Sequence, residues 1–159
     1  MEELKARHVR ESETEQIQPV SYSDLNVQKR LFGGTLVSWI DVVAGAVARR
    51  HSRRNATTAE IDSLQFLSPV FANNVVVLHG KLTCVWRTSM EVRVESYVEE
   101  LSGERHLVNT AYLVLVAIDE NGRPTPVPGL ICDTPEEVAE RQAAEKRRIL
   151  RRQRRLEAY

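Results

Sequence analysis

Long apolar runs are missing from this chain. The longest, Ala111 to Ile118, is far too short to cross a bilayer, and the opening MEELKARHVRESETEQ lacks the apolar core of a secretory leader. A cytoplasmic protein with no membrane span is expected. Cysteine is scarce as well. The 2 present, Cys84 and Cys132, lie far apart without a C-x-x-C pair, which excludes a disulfide framework, and Cys84 within an apolar strand pattern predicts a buried free thiol. His8, His51, His79 and His106 are scattered, so no metal is expected and each reads as a surface or strand residue. There is no G-x-S-x-G elbow, and neither Ser38 nor Ser89 has an adjacent histidine, which disfavours a serine hydrolase. Charge of one sign is not in excess either: 22 Lys and Arg balance 22 Asp and Glu, giving no reason to expect a nucleic-acid or membrane partner.

What remains suits one domain with a tail, because 159 residues are enough to enclose a hydrophobic core. Residues 1 to 15 are polar and read as a frayed helix or a disordered segment, followed by QIQPVSY as a short edge strand, since Pro19 removes a ladder donor. From Gly34 to about Arg50, Leu36, Ile40, Val43 and Val47 recur at helical spacing and give a stripe that faces a core. Extended runs follow at Glu60 to Leu67, Asn74 to Trp86, Ser89 to Leu101 and His106 to Ile118. The last three are joined by tight links at Arg87-Thr88 and Ser102-Gly103-Glu104, which predicts an antiparallel meander. Met90, Val92, Val94, Ser96 and Val98 alternate with Glu91, Arg93, Glu95, Tyr97 and Glu99, so one face of that strand is expected to be wet. VNTAYLVLVAI is apolar on both faces and is expected near the middle of the sheet. The economical architecture is α+β, an antiparallel sheet of about five strands curled around one long helix.

Beyond Asn121-Gly122 and Pro124, Pro126 and Pro128, the tail from Thr134 is a second helix. Thr134 reads as its N-cap, Pro135 as its first residue, and Glu137 as the residue completing a capping box. It starts with EE and ends with RRILRRQRR, which complements the helix dipole, so a solvated or partner-packed helix accounts for it. A patch that neutralises phosphates on a bound nucleotide-like group or on nucleic acid is the functional alternative.

One residue breaks the logic of the long helix. Asp41 is an ionisable carboxylate between Ile40 and Val42, and one turn either side of it stand Val37, Ser38, Ala44 and Gly45. A stripe of mostly small side chains admits another backbone or a slender ligand, so Asp41 lines an approach surface, either as a reactive group or as a carboxylate held by an arginine or backbone donor. Ahead of it, Gly33-Gly34 places bare backbone at a helix start, where free N–H groups and the dipole favour negative charge. Asn26, on the loop before, is able to orient a water or a carbonyl.

In this order, Asp24-x-Asn26, Phe32-Gly33-Gly34, Trp39-x-Asp41 and Thr58-x-x-x-Asp62-x-x-x-Phe66-x-x-Pro69 resemble the hotdog-fold acyl-CoA thioesterases. The resemblance is to the cytosolic acyl-CoA hydrolase branch, which includes the brain enzyme and small bacterial relatives. Thr88-Ser89, Val116-Ala117-Ile118-Asp119, Gly122 and Val127-Pro128 are similar to the same branch. Two positions depart from it: Lys29 stands where the family often has Gly, and Asn73-Asn74 where it has Gly-Asp.

The resemblance implies a hotdog thioesterase domain over residues 16 to 130 with a helical extension over 131 to 159. It also implies dimers whose sheets join edge to edge, often three of them together, with acyl-CoA sites at the dimer interface. Carried over, Asp41 is the general base or nucleophile, Asn26 from the neighbouring subunit positions the water, and the Gly34 N–H binds the thioester oxygen. Gly33, Arg87, Thr88 and Ser89 are substrate contacts. Coenzyme A enters as part of substrate and product, and no separate cofactor is implied. Direct attack by water and an acyl-aspartyl anhydride use the same three groups. The alternative from another class is a non-catalytic acyl-CoA sensor using the same pocket.

Overall fold

The computed structural model describes residues 4–158. Its main body is a five-stranded sheet of β2 (Thr14–Pro19), β3 (Asn55–Phe66), β4 (Val75–Val85), β5 (Ser89–Glu99) and β6 (Arg105–Ile118) in the order β2-β4-β5-β6-β3, every pairing antiparallel. Helix α1 (Gly33–Ser52) lies across one face and touches all five strands. The predicted stripe of Leu36, Ile40, Val43 and Val47 is 0–2% exposed and meets Leu78, Leu82, Met90, Val92, Val94, Leu113 and Leu115 from the sheet. Each such side chain contributes about 1.5–3 kcal/mol relative to exposure. Gly80 on β4 lets the helix come this close: a Cβ there would stand 2.7 Å from Val43 Cγ1 and 3.1 Å from Val47 Cγ2. The meander β4-β5-β6 forms as expected. The doubly apolar β6 is one strand off-centre, with β5 in the middle and β3 outside it.

Three expectations need correction. Residues 1–3 of the polar N-terminal segment lie outside the described residues, and from Arg7 on it is neither an α-helix nor loose: β1 (Arg7–His8), a 3₁₀ turn at Val9–Glu11 and β2 follow one another. Val9 and Ser12 are buried, β1 pairs in parallel with β7 (Leu130–Ile131), and both His8 Nδ1 (2.9 Å) and Arg10 Nη1 (2.6 Å) contact Asp133. Non-local partners at the chain's other end order a stretch that its own sequence would leave frayed. Secondly, His51 is not a surface or strand histidine beyond the helix. It sits in the last turn of α1, fully buried, with Nε2 2.9 Å from the Pro128 carbonyl.

The third correction concerns the face of β5 expected to be wet. Helix α2 (Pro135–Leu156) covers it, and Glu91 is 0% exposed. Arg147 and Arg151 reach Glu91 at 2.7 Å each, Arg151 and Arg154 reach Asp62 at 3.4 and 2.8 Å, and Thr83 donates to Glu91 at 2.6 Å. Much of the basic tail is therefore consumed in docking the helix onto its own sheet. Its N-terminus is capped as predicted, with Thr134 accepting from the Glu137 N–H, although the Glu137 carboxylate reaches back to the Asp133 N–H rather than to that of Thr134. Cys84 is the buried free thiol that its strand pattern predicts.

Candidate active site

The loop before α1 is built around Asn26. Its Oδ1 accepts from the N–H groups of Gln28 (2.9 Å) and Arg30 (3.2 Å), while its backbone pairs with Arg30 and Lys29. Its acceptor atom is thus engaged in holding the loop, and the Nδ2 hydrogens are what it has to offer. Lys29 adopts φ 59°, the left-handed region where glycine is at ease, which explains why a glycine often stands there in the resembled family. Asn73, at φ 69°, shows the same conformation met by a residue that tolerates it. Asp24 fixes the preceding turn by accepting from the Ser21 N–H at 2.8 Å.

Phe32 is the N-cap of α1 and offers no side-chain acceptor. Among the described residues, nothing accepts from the N–H groups of Gly33 and Gly34, so two free donors point out of the helix start. Both glycines lie under aromatic rings. A Cβ on Gly34 would meet the Phe32 ring at 2.7 Å, and one on Gly33 would meet Phe66 Cζ at 3.4 Å. Beside them opens a pocket of about 400 Å³ lined by Asn26, Gly33, Leu31, Leu36, Phe66 and Val70, among others.

Asp41 is half-buried, and its Oδ1 accepts from Thr58 Oγ1 on β3 at 2.6 Å. No ion pair reaches it among the described residues. The β3 ladder slips between Thr58 and Glu60, and such an irregularity re-aims side chains. The Asp41–Thr58 contact is the site feature that the sequence did not disclose, since nothing in the spacing ties a helix carboxylate to a hydroxyl on the following strand.

Asp41 and Gly34 lie seven residues apart on one helix, about 10 Å along its axis, and the free N–H groups point away from Asp41. Within one chain these groups do not converge on a single reacting atom.

The hairpin contacts separate. Thr88 and Ser89 line a cleft of about 530 Å³ together with Arg148, Arg152 and Arg155 of α2, and Arg148 stacks 4.8 Å from the Trp86 ring. Arg87 points outside that cleft, exposed, while its carbonyl accepts from the Val127 N–H. No group of His, Cys, Asp and Glu among the described residues is arranged to hold a metal.

A thioesterase superfamily profile matches residues 28–102. A Bacillus subtilis protein named as an uncharacterized acyl-CoA thioester hydrolase is 42% identical over 139 residues, 87% of this chain and 81% of that one. The chain belongs to the thioesterase superfamily. Rat cytosolic acyl coenzyme A thioester hydrolase is 31% identical over 129 residues, 79% of this chain but only 34% of that longer protein. The fold is that of hotdog acyl-CoA hydrolases. A Staphylococcus aureus acyl-CoA hydrolase solved with butyryl coenzyme A and coenzyme A superposes with a TM-score of 0.91 at 29% identity, covering 96% of this chain and 94% of that one. A hexameric acyl-CoA thioesterase superposes at 0.90 with 36% identity, covering 94% and 97%. Further structures of the Staphylococcus aureus hydrolase carry an asparagine, an aspartate or a threonine replaced by alanine.

Proposed function

We propose that this thioesterase hydrolyses acyl-CoA to a carboxylic acid and coenzyme A at sites shared between two copies of the chain. Asp41 acts as general base or nucleophile. Asn26 of the partner subunit, with Oδ1 engaged in its own loop, donates through Nδ2 to orient the water, and the N–H of the partner's Gly34 receives charge as the thioester oxygen becomes an oxyanion. Such a donor contributes roughly 3 kcal/mol in a water-poor site. Thr58 holds the Asp41 carboxylate in one orientation and, being neutral, leaves its charge uncompensated.

The observation that carries this reading is the separation of Asp41 from the free N–H groups on one helix, which an opposed second copy removes. Exposed Val27, Phe32, Val42, Ile61, Phe66 and Leu67 supply an apolar surface for that copy, and β3 is an open sheet edge for it to pair with. Thr88 and Ser89 with Arg148, Arg152 and Arg155 suit the phosphates of coenzyme A. The relatives' activity and the hexameric neighbour support an oligomeric enzyme. No helix among the described residues is long and apolar enough to cross a membrane.

Subunit complementation tests the sharing. Asp41→Asn and Asn26→Ala proteins, each impaired alone, are unfolded together and refolded as a mixture, and free CoA thiol is followed. Shared sites restore about a quarter of native turnover, since half the dimers are mixed and each has one intact site. No restoration, with mixed dimers demonstrated by tag pull-down, overturns the shared site.

A further inference from the structure

We propose that Phe66 determines which acyl chains the enzyme accepts, by placing its ring at the entrance of the pocket that runs from the helix start. This rests on the thioesterase reading and adds a specificity role to it. The ring tip lies beside Gly33 at the start of the helix: a Cβ there would be in van der Waals contact with Cζ at 3.4 Å. Phe66 keeps 54% of its surface exposed in the single chain, on the same apolar surface that is offered to the second copy, so the ring and an acyl chain beside it lie at the seam between subunits.

The pocket beside it, about 400 Å³, is lined by Leu31, Leu36, Leu67, Pro69 and Val70, with the polar Asn26, Arg30 and Ser68 also on its wall. That volume lies within the range of small-molecule sites. A thioester whose oxygen accepts from the free N–H groups of the helix start must lead its acyl chain past the Phe66 ring within the first few methylenes. Phe66 is the last residue of β3, after the register shift between Asp62 and Gln65, so the ring sits where the strand leaves its ladder and the backbone imposes little on its size.

The measurement is kcat/KM by CoA thiol release over a ladder from acetyl-CoA to palmitoyl-CoA. The ratio of palmitoyl to butyryl turnover is expected to rise about tenfold in Phe66→Ala and to fall by a similar factor in Phe66→Trp, the range that small changes in an apolar pocket produce. Phe66→Leu gives the rise at smaller amplitude should the alanine variant fail to fold. A purely structural role would lower all substrates together without opposite shifts from smaller and larger side chains. Native activity with an unchanged ratio in all variants overturns this inference alone, whereas a native protein that releases thiol from none of the substrates overturns the thioesterase reading and this inference with it.

Discussion

Two carboxylates near the two faces of the sheet receive opposite treatment. Glu91, under α2, is fully buried and surrounded by Arg147, Arg151 and the Thr83 hydroxyl. Asp41, on α1, is only half-buried and has one neutral donor, Thr58. Burying an anion is costly unless it is paired, so Glu91 is locked and its partners serve the docking of a helix. Asp41, by contrast, is oriented by a hydroxyl and has no ion pair among the described residues. The number and charge of partners, not burial alone, separate the locked acid from the one we propose as reactive.

That contrast breaks cleanly in four experiments. The largest effect is expected from Asp41→Asn, which keeps an acceptor for Thr58 but removes the proposed base. Turnover should fall about a hundred- to ten-thousandfold while the melting temperature barely moves, measured by thiol release and calorimetry on one preparation. Glu91→Gln is the mirror image. Leaving Arg151 buried beside a neutral amide should cost roughly 3–5 kcal/mol and lower Tm by about 10 °C, with activity per folded molecule retained in denaturant-free assays. Thr58→Val comes next. Losing a hydrogen bond to a charged group should reduce kcat about tenfold or more with little change in KM or Tm, and Thr58→Ser should recover most of it.

The smallest effect is one of pH. Burial depresses the His51 imidazole below its ordinary value, outweighing its hydrogen bond to Pro128, with Arg7 pushing the same way. Unfolded chains take up that proton near pH 6.5, so in the window below it the unfolded state binds more protons and stability declines as pH falls. Tm against pH should show this slope in the native protein and lose it in His51→Gln. Asp62 acts lower. Burial would raise its carboxyl, but Arg154 and Arg151 outweigh that and hold it below the usual range, so its contribution disappears only as pH falls below about 4.

The legibility of this protein follows the range of the interactions involved. The α1 stripe, the meander and the Thr134 cap were readable because each depends on residues within a few positions of one another. Asp41 and the paired glycines stood out because each violates a local expectation, a charge in an apolar helix and bare backbone at its start, whereas Asn26, an ordinary loop residue, came forward only through its place ahead of them and through the family resemblance. Thr58 and the Glu91 cluster were opaque, since Glu91 alternates on its strand as a solvent-facing residue does and only a helix arriving from residues 135 to 156 reverses that reading.

By itself, the sequence determined the periodicities, the helix ends and the residue types available for chemistry, since these follow from local sterics and hydrogen bonding. Only the tertiary structure decided which carboxylate is neutralised and which is left free of cations, and that the hairpin and the basic helix share one cleft. Those outcomes depend on distances between segments far apart in the chain, and electrostatic energy is set by such distances and by the water excluded between them.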